Sequence, residues 1–335
     1  MSSTEVILPA RQWEDDNGNR TEKEQDTHIS QNLATVASKE LRENDTVRKQ
    51  CLALLREWIK QNPDIENCIT DDVFLLKFLR VKKFSITMAQ QTLLKYLNYR
   101  KKFRNIMYNL DHTHPNVNEL ITSGYVFVSP FRDSNGRRVI IYDFNKFDLD
   151  KFTGQDMAKA HAVTYETLME DEENQILGVN HVADLGAVSP SFVTLFSVTE
   201  FAYLIRWGEQ SYPMRHKEMN LFNLPGPIKY IYDFAKSNIK SEKLKNRFTI
   251  HDSRDQLLAK VPKRCLPKEF GGELPAKEMI EMWKEELAGK RERLLSFDAM
   301  NLVSDRGIIR SKNAPTQDDT GTGSLPGSFR KLELD

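Results

Sequence analysis

Between residues 45 and 107 the apolar positions repeat at the spacing of an α-helix. One apolar face, with members three to four residues apart, is formed by Val47, Cys51, Leu54, Leu55, Trp58 and Ile59. Asp71 and Asp72 precede the apolar run 73–79, which predicts a buried helix with an acidic N-cap. Thr87 with Gln90 predicts a capping box at the start of another helix. No strand signal interrupts this region, so we predict an all-helical N-terminal domain over residues 41–115.

From Gly124 onward, short β-rich runs alternate with helical ones. The first two runs, Gly124–Ser129 and Arg138–Asp143, flank Ser134-Asn135-Gly136, which is typical of a hairpin turn. Later runs predict strands over 176–185, 219–223 and 247–251, and helices over 155–170, 191–209 and from 228. Strands that alternate with helices indicate an α/β domain with a mostly parallel sheet covered by helices. We place this domain at residues 116–275 and a final charged helix at 276–300.

Composition sets limits on the setting and the partners of the protein. Residues 1–40 and 301–335 are polar and contain few large apolar side chains, which predicts disordered tails. The 48 basic and 48 acidic residues balance, so no overall field attracts nucleic acid. Three scattered cysteines favour a reducing, intracellular setting over a disulfide framework. No apolar run is long enough to span a bilayer, so we expect a water-soluble protein with peripheral membrane contact at most.

The sequence carries no recognisable catalytic or metal-binding motif. It lacks a Walker loop, a G-x-S-x-G elbow, an H-E-x-x-H helix and paired C-x-x-C motifs. His112 and His114 are interpreted as a loop pair rather than metal ligands, and the acidic run 171–173 as a solvated cluster. We therefore expect a binding protein without a cofactor or a metal, rather than an enzyme.

One helix and the residues after it point to a membrane. The predicted helix 228–239 is apolar around more than half of its circumference, whereas packing on a core needs only about 100° of apolar arc. Either a cavity and a membrane, or burial under another helix, would account for this excess. Five basic residues and one acidic residue follow between 236 and 247. Basic residues beside an apolar edge are typical of peripheral proteins on anionic lipid.

Several motifs resemble the CRAL-TRIO family of lipid-binding proteins. They occur in the family order between residues 71 and 274, as DVFLLKFLRVKKF from Asp72, DSNGRRVIIYD from Asp133, QILGVNHVADL from Gln175, SYPMR from Ser211 and LPKEFGG from Leu266. The resemblance implies a soluble fold with a buried lipid pocket, closed by a mobile helix that matches Ile228–Ile239 here.

Site residues follow from the resemblance, position by position. The pocket-lining positions are His161, Tyr165, Phe196, Leu204, Trp207, Tyr212, Met214, Ile228, Ile231 and Tyr232. In the tocopherol carrier of this family a basic cluster near the gate holds phosphoinositide headgroups. The matching positions are all basic here: Arg80, Lys82, Arg215, Lys217, Lys243 and Arg247. Cations that converge on one headgroup provide charge-assisted hydrogen bonds as well as attraction.

The sequence also departs from the family pattern. Lys236-Ser237-Asn238-Ile239 replaces the usual residues after the gate, and one extra residue stands near Lys240. Ala183 stands where a retinaldehyde-binding pocket has a glutamate, which disfavours a retinal held in that way. His161 and Tyr165, one helical turn apart, can hydrogen-bond a ligand hydroxyl or carboxylate, or instead each other or water.

The sequence therefore predicts a monomeric cytoplasmic carrier for a hydrophobic small molecule that is tocopherol-, retinoid- or phospholipid-like. It would exchange this ligand at endosomal or other intracellular membranes that contain phosphoinositides. One alternative is a phosphoinositide-binding adaptor or lipid sensor in vesicle trafficking. A hydrolase with unrecognised catalytic residues is a further alternative.

Overall fold

The computed structural model describes residues 31–195, 211–238 and 242–309, and the fold begins with a helical layer. Its helices are α1 Asp45–Gln61, α2 Asp72–Val81, α3 Ile86–Lys102, α4 Arg104–Met107 and α5 Pro115–Thr122. A two-residue strand, β1 Ile65–Glu66, lies between α1 and α2. Apart from β1, the predicted helical N-terminal region is confirmed.

Side-chain caps define the starts of the first two helices. Asn44 accepts a hydrogen bond from the Val47 amide at 2.9 Å, and Asp71 accepts one from the Phe74 amide at 2.9 Å. The acidic N-cap of α2 is thus confirmed, and each such cap stabilises a helix by about 1 kcal/mol. The capping box at Thr87 is wrong, because α3 already begins at Ile86, so Thr87 lies inside its first turn.

The second part of the chain is built on a five-stranded sheet. Its strands are β2 Val126–Arg132, β3 Arg138–Asp143, β4 Val179–Asp184, β5 His216–Phe222 and β6 Phe248–His251. They lie in sequence order. β2 pairs antiparallel with β3, and each later strand pairs parallel with the one before it. The predicted α/β class with a mostly parallel sheet is confirmed.

Helices connect and cover these strands. They are α6 Gly154–Met169, α7 Glu172–Leu177, α8 Gly226–Asn238, α9 Glu242–Lys245, α10 Arg254–Lys260 and α11 Ala276–Ser296. The predicted strand 176–185 is shorter than expected, because α7 occupies its first two residues and β4 begins only at Val179. Gly178 makes this change of direction with a φ of +79°. A Cβ there would lie 2.4 Å from the Arg215 carbonyl oxygen, so β5 can approach only a glycine.

The end of the described chain returns to the helical layer. The short strand β7, Asn301–Leu302, pairs antiparallel with β1, with Ile65 opposite Leu302. Arg100 of α3 donates a hydrogen bond to Asp298 at 2.9 Å. Lys101 donates to the Leu302 carbonyl oxygen at 2.8 Å. Residues 301–302, which the sequence assigned to a tail, are therefore part of the fold.

A buried cluster of charges joins the helical layer to α6. The Lys77 ammonium lies 3.4 Å from Glu166 and 3.5 Å from Glu170, and none of these side chains is more than 4% exposed. The Tyr96 hydroxyl donates to Glu166 at 2.6 Å. Lys77 also lies 4.3 Å from the centre of the Phe74 ring, a cation–π distance. The cluster fixes α6, which carries two of the predicted pocket residues, against α2 and α3.

Candidate functional site

Only part of the predicted pocket lies within the described residues. Phe196, Leu204 and Trp207 fall outside them, as does the side chain of Ile231. His161 and Tyr165 lie on α6, where both are partly buried. The other described positions, which precede β5 or lie on α8, are Tyr212, Met214, Ile228 and Tyr232.

His161 and Tyr165 do not bond to each other. Instead, each contacts a tyrosine of the sheet region. The His161 Nε2 atom lies 2.9 Å from the Tyr125 hydroxyl, and the Tyr165 hydroxyl lies 2.7 Å from that of Tyr142. The Tyr125 and His161 rings are stacked, with centroids 5.7 Å apart. The sequence interpretation identified the two helical residues and missed their tyrosine partners.

From Tyr142 the hydrogen bonds continue across the sheet. The Tyr142 hydroxyl lies 3.2 Å from Nδ1 of His181 on β4, and Nε2 of His181 lies 2.8 Å from Nδ1 of His216 on β5. Tyr165, Tyr142, His181 and His216 thus form a chain, which we call the Tyr–His network. The available sequence signal for the network was one histidine in each of the two strand sequences, His181 in VNHVAD and His216 in HKEMNLF.

Every titratable group of the network, and the neighbouring His161, is held in its uncharged form. Burial lowers the pKa of His161 to about 4. Burial, and then the charge of Arg247, lowers the pKa of His216 to about 4. The pKa of His181 lies well below its ordinary value, because the side chain is buried and His216 is adjacent. Burial raises the pKa of Tyr165 to about 12 and that of Tyr142 well above its ordinary value. At neutral pH the network therefore offers dipoles without a fixed charge.

Aromatic rings surround the network. The Tyr212 ring lies 5.8 Å from that of Tyr165 in an edge-to-face arrangement. Phe192 lies 5.9 Å from both Phe144 and Phe147. Tyr212, Met214 and Ile228 are each at most 8% exposed. The described part of the predicted pocket wall is therefore apolar and aromatic around one polar, neutral network.

Three residues of the predicted basic cluster lie where β5 and β6 begin. Arg215 and Lys217 flank the first residue of β5, Arg247 precedes β6, and Lys82 ends α2. The side chain of Lys243 lies outside the described residues. Arg215 also donates a short hydrogen bond to the Ile176 carbonyl oxygen.

Arg80 lies beside this cluster but is not on its surface. Its side chain is 1% exposed, and its guanidinium contacts Glu43 at 2.7 and 2.9 Å, Glu172 at 2.7 Å and Gln175 at 2.8 Å. The resemblance placed Arg80 among the headgroup-binding residues. The structure corrects this placement, because these three acceptors enclose the guanidinium. Arg80 links α2 to α7 and lies buried beside the basic cluster.

The side chains of the acidic run 171–173 form hydrogen bonds and ion pairs within the protein, so the run is not simply a solvated cluster. Asp171 caps α7 by accepting hydrogen bonds from its first amides, and Glu172 pairs with Arg80. Arg132 lies 3.1 Å from Asp171 and 2.9 Å from Glu173.

Among the described residues, no group of three or more His, Cys, Asp or Glu side chains could hold a metal ion. No helix within the described ranges is long and apolar enough to cross a bilayer.

Residues 31–43 cover part of the basic cluster, at Arg215 and Lys217, which we call the basic surface. Residues 31–40, which the sequence assigned to a disordered tail, are helical and end in a π-helical turn, Val36–Glu40. Glu40 accepts hydrogen bonds from Arg215 at 2.5 Å and Lys217 at 2.9 Å. Burial alone would raise the pKa of Glu40, but its contacts with Lys217 and Arg215 hold that pKa below its ordinary value.

Comparison with known proteins places this arrangement in a family. The CRAL/TRIO domain matches residues 122–272, and the Pinta-like UBA domain matches residues 44–117. Clavesin-1 of Xenopus laevis is 29% identical over 250 residues, which cover 75% of each chain. The alpha-tocopherol transfer protein-like protein of Homo sapiens is 30% identical over 246 residues, which cover 73% of this chain and 71% of its own.

A solved structure, that of Sfh5, covers 84% of this chain and 99% of its own with a TM-score of 0.46 and 14% identity. Both predicted parts of the chain are matched by a domain family, and the relatives share most of its length. The chain therefore belongs to the CRAL/TRIO domain family.

Proposed function

We propose that this chain is a carrier that encloses one hydrophobic small molecule and exchanges it at anionic membranes containing phosphoinositides. Membership of the CRAL/TRIO family supports the proposal, as do relatives named for tocopherol transfer. The observation that carries it is the neutral Tyr–His network set in an aromatic wall. In this proposal the chain is monomeric and cytoplasmic, visits endosomal or other intracellular membranes, and performs no catalysis.

The charge state of the network indicates which lipophile the pocket accepts. A ligand carboxylate beside His161 and Tyr165 would lose its hydration without gaining a cationic partner, which is costly. A hydroxyl or carbonyl group needs only one or two hydrogen bonds, which phenols and neutral imidazoles supply. We therefore expect an alcohol, phenol or aldehyde of tocopherol- or retinoid-like size in preference to a free fatty acid.

Organic extraction followed by mass spectrometry tests the carrier proposal. Protein purified from eukaryotic cells should release one lipophile per chain. An empty pocket combined with tight headgroup binding would instead support the phosphoinositide-dependent adaptor. Esterase turnover abolished by one point mutation would support the hydrolase.

Binding of defined ligands tests the polarity of the pocket. Quenching of intrinsic fluorescence should report binding of α-tocopherol and all-trans-retinol at pH 7 but little binding of oleate. Tyr165→Phe removes one hydroxyl at constant ring volume and should weaken retinol binding several-fold. Oleate binding as tight as that of the two alcohols would contradict the proposed ligand class.

Membrane exchange is assigned to α8 and the basic surface. The helix Gly226–Asn238 matches the family's gate, and Lys236 on it lies 5.5 Å from the centre of the Tyr232 ring. Arg215 and Lys217 carry side chains that are 13% and 22% exposed where β5 begins. In the proposal these two residues, with Lys82, Lys243 and Arg247, hold the headgroup while α8 opens toward the bilayer.

Vesicle flotation tests this assignment. Arg215→Ala combined with Lys217→Ala should weaken binding to phosphatidylcholine vesicles with 5% phosphatidylinositol bisphosphate by about thirtyfold, since each of the two cations contributes about 1 kcal/mol near the surface. The extracted lipophile should remain at one per chain. Lys60→Ala with Lys277→Ala removes the same charge from exposed positions on α1 and α11 and should change little. Equal loss in both double variants would contradict a specific headgroup site.

A further inference from the structure

The basic surface already holds an anion supplied by the chain itself. A single carboxylate oxygen of Glu40, Oε2, accepts from both Arg215 and Lys217. Two cations on one oxygen is also the arrangement by which such residues hold a phosphate. We propose that residues 31–40 form a lid whose Glu40 carboxylate occupies the position of a headgroup phosphate, so that membrane binding requires displacement of the lid. This inference rests on the proposed function of the basic surface.

The Glu40 contact is suited to release. The Glu40 side chain is 47% exposed, whereas those of Arg215 and Lys217 are 13% and 22% exposed, so solvent and salt reach the ion pairs from the Glu40 side. Exposed ion pairs are weak and are screened by salt. A bisphosphate headgroup brings more negative charge than one carboxylate and several acceptor oxygens, so it competes effectively for the same two cations.

Apolar packing holds the lid only lightly. Leu33, Val36 and Ala37 pack with Leu41, Ile176 and Leu177 in a small cluster separate from the main core. An open cleft of about 400 Å³ remains between the lid and the side chains of Arg48, Arg80 and Ile176. Lid side chains that face this cleft bury less apolar surface than they would in a filled interface, so the packing stabilises the lid less.

The residues just after the lid are held more firmly. Leu41 is fully buried, and the Glu43 side chain is 8% exposed with two hydrogen bonds to Arg80. Arg42 between them adopts a left-handed backbone with a φ of +62°. The lid can therefore leave while Leu41 and Glu43 stay in place, and the boundary between the two parts lies between Glu40 and Leu41.

Glu40→Gln in the full-length chain tests the lid. The amide keeps the size of the carboxylate but loses its charge, so binding to vesicles with 5% phosphatidylinositol bisphosphate should tighten about three- to tenfold. Glu57→Gln removes the same charge from an exposed position on α1 and should leave binding unchanged. Equal affinity for wild type and Glu40→Gln, while Arg215→Ala with Lys217→Ala weakens binding, would overturn the lid and leave the headgroup site standing. Equal binding by all three proteins would overturn the headgroup site itself.

Hydrogen exchange tests displacement directly. Addition of the same vesicles to wild type should speed amide exchange in residues 31–40, whereas neutral phosphatidylcholine vesicles should not. Soluble inositol trisphosphate should have the same effect if the headgroup alone suffices, and no effect if the bilayer surface is also needed. Unchanged exchange in residues 31–40 on protein shown to be vesicle-bound would overturn the lid.

Discussion

Lys77→Met tests whether the buried charges between α2 and α6 stabilise the fold. Methionine retains much of the apolar stem but removes the ammonium from beside Glu166 and Glu170. Glu170 keeps Arg293 at 2.7 Å, and Glu166 keeps the Tyr96 hydroxyl but loses the cation that contacts it. Removal of one partner from a fully buried pair costs about 3–5 kcal/mol, because the remaining charge is left uncompensated. We expect the free energy of unfolding to fall by about 3 kcal/mol.

Urea denaturation at pH 7 provides the measurement, with Lys60→Met at the exposed end of α1 as the matched control. The control should lie within about 0.5 kcal/mol of wild type. Addition of Glu166→Gln to Lys77→Met should recover much of the loss, because the uncompensated carboxylate is then gone. A loss below 1 kcal/mol for Lys77→Met, or no recovery in the double variant, would refute this reasoning.

Three further outcomes follow from particular residues. Gly272→Ala should cost several kcal/mol in urea denaturation, because its Cβ would meet the Leu266 carbonyl oxygen at 1.8 Å, whereas Gly289→Ala on α11 has open space and should stabilise by about 0.5–1 kcal/mol. The pKa of His216 is about 4 in the folded chain, so the unfolded chain binds more protons between pH 6.5 and 4. His216 alone should therefore lower the free energy of unfolding by about 2 kcal/mol from pH 7 to pH 5, in addition to the contributions of His161 and His181, and the pH dependence should be smaller by about that amount in His216→Phe. Burial raises the pKa of Cys265 to about 12. Ellman's reagent at pH 8 should therefore label Cys265 only after denaturation, and labelling of the native thiol would contradict its burial.

The order of helices and strands could be predicted because the relevant signals are local. Asp71 caps α2 as its sequence indicates, and the runs 138–143 and 247–251 become strands. The length of β4 was overestimated, because Ile176 and Leu177 are apolar, and a short apolar run is compatible with either a buried helix or a buried strand. Only Gly178 marked the boundary between them.

The sequence identified several residues of the candidate site, but it did not show which side chains they contact. His161 and Tyr165 were identified, yet their partners Tyr125 and Tyr142 come from strands or loops that only tertiary folding brings near. Arg80 looked like a surface cation, because a sequence does not show that Glu43 and Glu172 enclose it. The contacts of residues 31–40 are likewise with residues distant in the sequence, at Ile176, Arg215 and Lys217.

The pairing of β1 with β7 has a consequence for biosynthesis. Ile65 meets Leu302, so the helical layer at the start of the chain is completed by residues translated more than two hundred positions later. A nascent chain generally folds from its N-terminal end. Here α1 to α3 must wait for the whole α/β part before Asp298 reaches Arg100. Until then the nascent helical layer lacks its closing strand, and we expect chaperones to meet the protein at this stage of synthesis.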